Sequence, residues 1–193
     1  MRKRFYLILW VCTALTAVLA ILYTYLENSI LQTLLITVGT TAYHFWMRLA
    51  IGYAVERFFP TSVDPNGFWF RERCWEKRCY KRLRVRKWAK RVPTFKPEQF
   101  DVRTRTTEEL IWQTCLSETV HTWIVFGGFS TLLFCFFFDD PLGNLAPFLI
   151  TAILAGAFDL QFVILQRYNR PKLLRLTERR ARRSAEKTEI EKR

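Results

Sequence analysis

The chain has only two histidines, His44 and His121, and seven glycines among its 193 residues. The glycines form no phosphate-cradling loop and no Gly-x-Ser-x-Gly elbow, so neither P-loop nucleotide binding nor serine-hydrolase chemistry has a basis here. Cys-x2-Cys pairs are missing, and Cys74-x4-Cys79 lacks the second pair that a structural zinc site needs. The period-two alternation of a membrane β-barrel is absent. So is any inverted duplication of the transporter kind. Charge, finally, is nearly missing from four blocks: Phe5–Leu26, Ile30–Val55, Leu110–Phe138 and Leu145–Gln166.

Each block exceeds the roughly 20 helical residues that cross a bilayer core. The pattern predicts an all-α integral membrane protein with four transmembrane helices, at about 5–26, 30–55, 110–138 and 145–166. The first run is too long for a cleavable signal peptide, and it reads as an uncleaved helix. Of the 30 Lys and Arg, 3 precede the first helix, 15 lie in Glu56–Glu109 and 11 follow from Arg167 onward, while Glu27–Ser29 and Asp139–Asn144 contain none. Basic residues accumulate on the cytoplasmic side, which predicts a multi-pass cell-membrane protein with both termini and the loop 56–109 in the cytoplasm. Residues 1–175 then form a single membrane domain, and 176–193 a charged cytoplasmic tail, disordered or a solvated helix, that frays over Thr188–Arg193. The five cysteines are expected as free thiols.

Against this apolar background the ionisable residues stand out. Glu118 and His121 share one helical face by their i, i+3 spacing. A charge at that depth is disfavoured by roughly 2–3 kcal/mol or more, and an acid beside an imidazole can take up and pass on a proton. Hydrogen bonding to a neighbouring helix is the structural alternative. His44 and Arg48 lie one turn apart on the second helix, and Asp159 lies two turns before Arg167 on the fourth. His44 also reads as a satisfied core histidine, Arg48 as a snorkelling side chain and Asp159 as a backbone cap. No metal ligand is assigned, because no His-x3-His or second Glu-x2-His pair occurs.

The cytoplasmic loop carries Phe68-Trp69-Phe70-Arg71-Glu72-Arg73-Cys74-Trp75 and continues to Trp88, with Trp75, Cys79 and Leu83 at four-residue spacing. This predicts an amphipathic helix lying in the interface between helices two and three, against membrane lipids. The same basic residues can instead hold a substrate phosphate or carboxylate; nucleic acid is not an expected partner. Thr106-x-x-Glu109 reads as a capping box that starts the third helix. Gln166-Arg167-Tyr168-Asn169-Arg170-Pro171 closes the fourth, where the arginines, Asn169 and Tyr168 can hold a carboxylate, a phosphate or sugar hydroxyls.

Several blocks together resemble a known family. They are Trp69-Phe70-Arg71-Glu72-Arg73 with Trp75-Glu76-Lys77 and Tyr80, Arg86-Lys87-Trp88-Ala89-Lys90 with Pro93, Glu118-x-x-His121 with Trp123, and Gln166 to Pro171. The chain resembles the glycosyl-4,4'-diaponeurosporenoate acyltransferases, membrane proteins of carotenoid pathways. The resemblance implies esterification of a sugar hydroxyl on a glycosylated carotenoid or related glycolipid with a fatty acyl group. It implies no cofactor beyond an acyl thioester donor such as acyl-CoA as co-substrate. On this reading His121 is the general base and Glu118 its orienting partner. Arg167, Asn169 and Arg170 bind donor phosphates or the oxyanion, with Tyr168 beside them. His44 and Arg48 complete the polar site, while Arg71, Arg73, Trp69 and Trp75 seat the lipid. Two other readings remain: a non-enzymatic membrane interaction protein, and a membrane methyltransferase or reductase.

Overall fold

The computed structural model describes residues 2–92 and 97–191. Met1, Pro93 of the resemblance, and Lys192 and Arg193 of the tail lie outside the described residues. Six α-helices are present among those described: α1 (Arg2–Leu26), α2 (Ser29–Phe58), α3 (Glu76–Arg82), α4 (Val85–Trp88), α5 (Thr107–Gly128) and α6 (Pro141–Glu191). Short 3₁₀ segments cover Ala89–Arg91, Pro97–Phe100 and Phe129–Phe137, and no strand occurs among the described residues.

Among the described residues three stretches are long and apolar enough to cross a membrane: Lys3–Leu26, Thr107–Phe137 and Pro141–Ile190. Their outward surfaces agree, since Leu7, Trp10, Val11 and Ile21 of α1 are exposed. Apolar faces of that extent are not left in water. α2 is long enough but less apolar, because it carries four threonines, His44 and Arg48. Those hydroxyls are satisfied within the helix: Thr37, Thr40 and Thr41 donate to the carbonyls of Thr33, Ile36 and Thr37 at 2.8, 2.6 and 2.7 Å.

The chain divides into two compact units, Met1–Phe58 with Val120–Leu160, and Phe59–Thr119 with Gln161–Arg193. In the first unit α1 packs along α2, with Trp10 edge-on to Trp46 (ring centroids 5.6 Å) and Phe5 to Phe45 (4.9 Å). Ile36, Cys135 and Phe148 form a buried cluster, flanked by Leu132, Phe134, Phe138 and Leu145. α5 gives way to a nine-residue 3₁₀ helix directly after Gly127-Gly128, where two poor helix formers meet. Gly127 also permits close approach, since a Cβ there would lie 2.8 Å from Cδ1 of Ile51.

In the second unit the capping box forms as expected. Thr106 N–H donates to Glu109 Oε2 (2.8 Å), and Glu109 N–H to Thr106 Oγ1 (3.2 Å). Thr106→Ala is expected to lower stability by about 1 kcal/mol, a shift readable in the thermal midpoint of the detergent-solubilised protein; an unchanged midpoint would remove the cap from the account. The interfacial segment differs from a continuous helix. α3 has seven residues and is capped by Leu83, and Arg84 adopts a left-handed conformation (φ 50°, ψ 39°) before α4. For a residue with a Cβ this costs roughly 1–2 kcal/mol. The predicted stripe of Trp75 and Leu83 is exposed, whereas Glu76 and Val85 are buried. α6 also departs from expectation, running through Pro171 to Glu191. Proline there removes one N–H donor from the helix ladder, and Arg167 and Arg170 before it tie this stretch of α6 to the Trp69–Arg71 turn.

Candidate active site

Among the described residues two polar centres occur, one in each unit. The first is built on Asp159, whose side chain is 2 % exposed. The Nδ1–H of His121 donates to Asp159 Oδ1 (3.0 Å), and Arg48 Nε donates to Oδ2 (3.1 Å), with Arg48 Nη2 on the same oxygen. An isolated aspartate in an apolar helix is untenable, and the guanidinium of Arg48 from α2 together with the imidazole N–H of His121 from α5 makes this one stable. Because an ionised carboxylate only accepts, it fixes the proton of a neutral His121 on Nδ1 and leaves the lone pair on Nε2. The His121 side chain stays 21 % exposed. Arg48 largely neutralises Asp159, so the carboxylate acts on His121 mainly by orienting it.

His44 lies in this same unit. It is buried, and neither ring nitrogen has a hydrogen-bond partner among the described residues. The imidazole lies against Gly128, where a Cβ would sit at ordinary contact distance, 3.4 Å from Cε1. The expectation of a satisfied core histidine fails on that point. A buried polar atom left unpaired is costly, and such atoms mark places where a ligand group or water completes the bonding.

The second centre is a buried ion network. Arg170, 1 % exposed, donates to Glu118 through Nη2, to Thr114 Oγ1 (3.1 Å) through Nε, and to the Phe70 carbonyl (2.9 Å) through Nη1. Arg167 donates to Glu118 Oε1 (2.6 Å) and twice to Glu76 Oε1 (3.1 and 2.5 Å), and it reaches the carbonyls of Trp69 (2.9 Å) and Arg71 (3.0 Å). Tyr80 completes the chain by donating to Glu76 Oε2 (2.6 Å). Burial first, and this hydrogen bond second, hold the Tyr80 phenol well above its ordinary pKa, so it remains a neutral donor. Two carboxylates balance two guanidiniums, a composition that makes burial tolerable. These arginines tie α6 to the Trp69–Arg71 turn around Pro171.

The predicted residues therefore take different places. His121 and Arg48 meet on Asp159, with His44 in the same unit. Glu118, expected as the orienter of His121, has both oxygens on arginines, and the carboxylate on Nδ1 of His121 is Asp159. Arg167 and Arg170, expected to bind donor phosphates, are taken up by internal partners. Tyr168 stacks edge-on to Tyr80 at 5.4 Å, and Asn169 Oδ1 accepts from Lys172 Nζ at 3.4 Å. Trp69 and Trp75 are exposed. Arg73 lies over the Phe68 ring at 4.8 Å, and Arg71 contributes its carbonyl to Arg167. The sequence assigns no site role to Glu76 or Thr114: Glu76 belongs to one of the resembling blocks but is one acid in a charged run, and its burial is what marks it.

Residues 66–179 match the family model described as glycosyl-4,4'-diaponeurosporenoate acyltransferase. The chain belongs to this family. No curated protein and no solved structure matches it. The matched stretch contains Glu76, Glu118, His121, Asp159, Arg167 and Arg170, whereas His44 and Arg48 precede it. A family named for acyl transfer supports a transferase role, with a glycosylated carotenoid as the suggested acceptor.

Proposed function

We infer that this family member is a membrane O-acyltransferase in which His121, oriented by Asp159, is the general base. The 3.0 Å contact from His121 Nδ1 to Asp159 carries the reading. A general base worth about 10²–10⁴ in rate must hold its lone pair at a defined atom, and the Asp159 carboxylate sets that atom as Nε2. In the reaction Nε2 accepts the proton of a sugar hydroxyl as its oxygen attacks the thioester carbonyl carbon. The carbon–sulfur bond then breaks, the imidazolium returns the proton to the departing thiolate, and an ester and a free thiol result. The acceptor is a glycosylated carotenoid or related glycolipid, and the donor a fatty acyl thioester.

On this reading α2 is a fourth span, supported by its 30-residue length and its internally bonded threonines. The basic residues of 56–109 and of the C-terminal segment then lie on the cytoplasmic side.

The test is direct. Lipid extracts of cells expressing the wild-type chain should contain an acyl ester of a glycolipid that vanishes, to below about 1 % of wild type, in His121→Ala. His121→Gln should reach the membrane at normal levels and be equally inactive. Undiminished ester in either variant removes His121 from the mechanism.

A further inference from the structure

A cavity of about 500 Å³ opens in the second unit between the α3–α4 segment and the later part of α6. Its size falls within the roughly 300–1,000 Å³ of small-molecule sites. Seven of its eleven lining side chains are cationic and one, Glu72, is acidic. Glu72 already has a cation beside it, Lys77 Nζ at 3.7 Å. Two stretches distant in sequence supply the positive charge: Lys77, Lys81, Arg84 and Lys87 from one side, Lys172 and Arg175 from the other.

Positive-inside topology explains why this segment is basic, but it does not explain why the charges ring a concavity. Three observations do. First, the left-handed turn at Arg84 breaks what would be one helix into two, which brings Arg84, Arg86 and Lys87 to the same cavity as Lys77 and Lys81. An unfavourable backbone conformation at a residue with a side chain points to a job for that residue. Second, the wall is anchored: Tyr168 meets Tyr80 edge-on, Tyr80 donates to buried Glu76, and Glu76 is held by Arg167. Third, Lys172 Nζ sits 3.2 Å from the centre of the Tyr168 ring, so one cation is positioned before any ligand arrives. Like charges gathered in a concavity raise its potential and attract a multivalent anion.

We propose that this cavity binds the phosphate groups of a small phosphorylated ligand, and that the ligand is the nucleotide end of the acyl thioester donor. The second clause rests on the acyl-transfer reading above; the first does not. Arg167 and Arg170, the obvious sequence candidates for that work, are committed to Glu76 and Glu118, whereas the cavity cations Lys77, Lys81, Arg84 and Lys87 are exposed. Phosphates are met by Lys as point charges and by Arg in bidentate pairs, and both kinds are present.

The experiment uses the full chain in detergent micelles and measures binding of coenzyme A, of pantetheine, which lacks phosphates, and of phosphatidylglycerol in mixed micelles. Coenzyme A should bind at least about tenfold more tightly than pantetheine, and should weaken as salt is raised. Lys81→Gln with Lys87→Gln should weaken coenzyme A about tenfold and leave pantetheine unmoved. Arg84→Gly, which keeps the left-handed conformation and removes the guanidinium, should weaken it too, with an unchanged or higher thermal midpoint. Equal affinity for the two thiols, or affinity indifferent to these substitutions, overturns the proposal. Phosphatidylglycerol binding that needs these lysines, with no coenzyme A binding, assigns the phosphate to a lipid headgroup and overturns the donor clause. Coenzyme A binding with no ester formed keeps the cavity and removes the reaction instead.

Discussion

Glu118→Ala is expected to be among the most destabilising single substitutions in this protein, lowering stability by about 3–5 kcal/mol. Its two oxygens face Arg167 and Arg170, and Arg170 is 1 % exposed. Removing the carboxylate leaves a buried guanidinium without its counter-charge. Arg167 is less affected because Glu76 still holds it. Against a total of roughly 5–15 kcal/mol for a folded domain, the loss is large. Glu118→Gln should also be costly, although it conserves shape. One terminal atom of glutamine is a donor, so either Arg167 or Arg170 would face an N–H group. The decisive comparison is the double variant Glu118→Leu with Arg170→Met, which removes both charges and should recover part of the loss from Glu118→Ala. The measurement is thermal unfolding in detergent, followed by tryptophan fluorescence. A Glu118→Ala midpoint within a degree or two of wild type would show that the network does not hold the unit together.

This outcome gives Glu118 a different place from the one its sequence context suggests. Two polar residues at i, i+3 in an apolar helix share a face, and that much is legible from spacing. Which partner each takes depends on where other helices place their side chains, and spacing carries no information about that. His121 finds Asp159, 38 positions later, and Glu118 finds Arg167 and Arg170, 49 and 52 positions later. Three of the four apolar blocks were legible as spans because hydropathy is summed over twenty residues. The capping box was legible because its two bonds close within four residues. The break at Arg84 was not, since a non-glycine left-handed residue has no composition signal. Burial of Glu76 was hidden for a related reason. A charged run with one buried acid looks the same as a charged run with none. Pro171 misled in the opposite direction. Proline usually ends a helix, but the arginines flanking it bond to carbonyls of the Trp69–Arg71 turn and α6 continues.

Asp159→Asn is expected to abolish acyl transfer with the fold retained. The carboxylate accepts from His121 on Oδ1 and from Arg48 chiefly on Oδ2, with Arg48 Nε also 3.4 Å from Oδ1. Asparagine offers one oxygen and one NH₂ in the same volume. Arg48 can only donate, so the oxygen turns toward it and the NH₂ turns toward His121. An NH₂ facing Nδ1 makes that nitrogen an acceptor, and the ring proton moves to Nε2. The imidazole is then oriented but carries its proton on the atom that should receive one. The expected loss in transfer rate is about 10²–10⁴. Stability should fall far less than in Glu118→Ala, because Arg48 keeps its bond to an oxygen and its side chain is 19 % exposed. The readouts are ester formation in proteoliposomes and the thermal midpoint of the same preparation. If Asp159 acts only through His121, then His121→Ala combined with Asp159→Asn should be no slower than His121→Ala alone. Rate losses that multiply would mean that Asp159 serves catalysis by a route independent of His121. An Asp159→Asn enzyme within about threefold of wild type would mean that the bond holds helices together and does nothing for the chemistry.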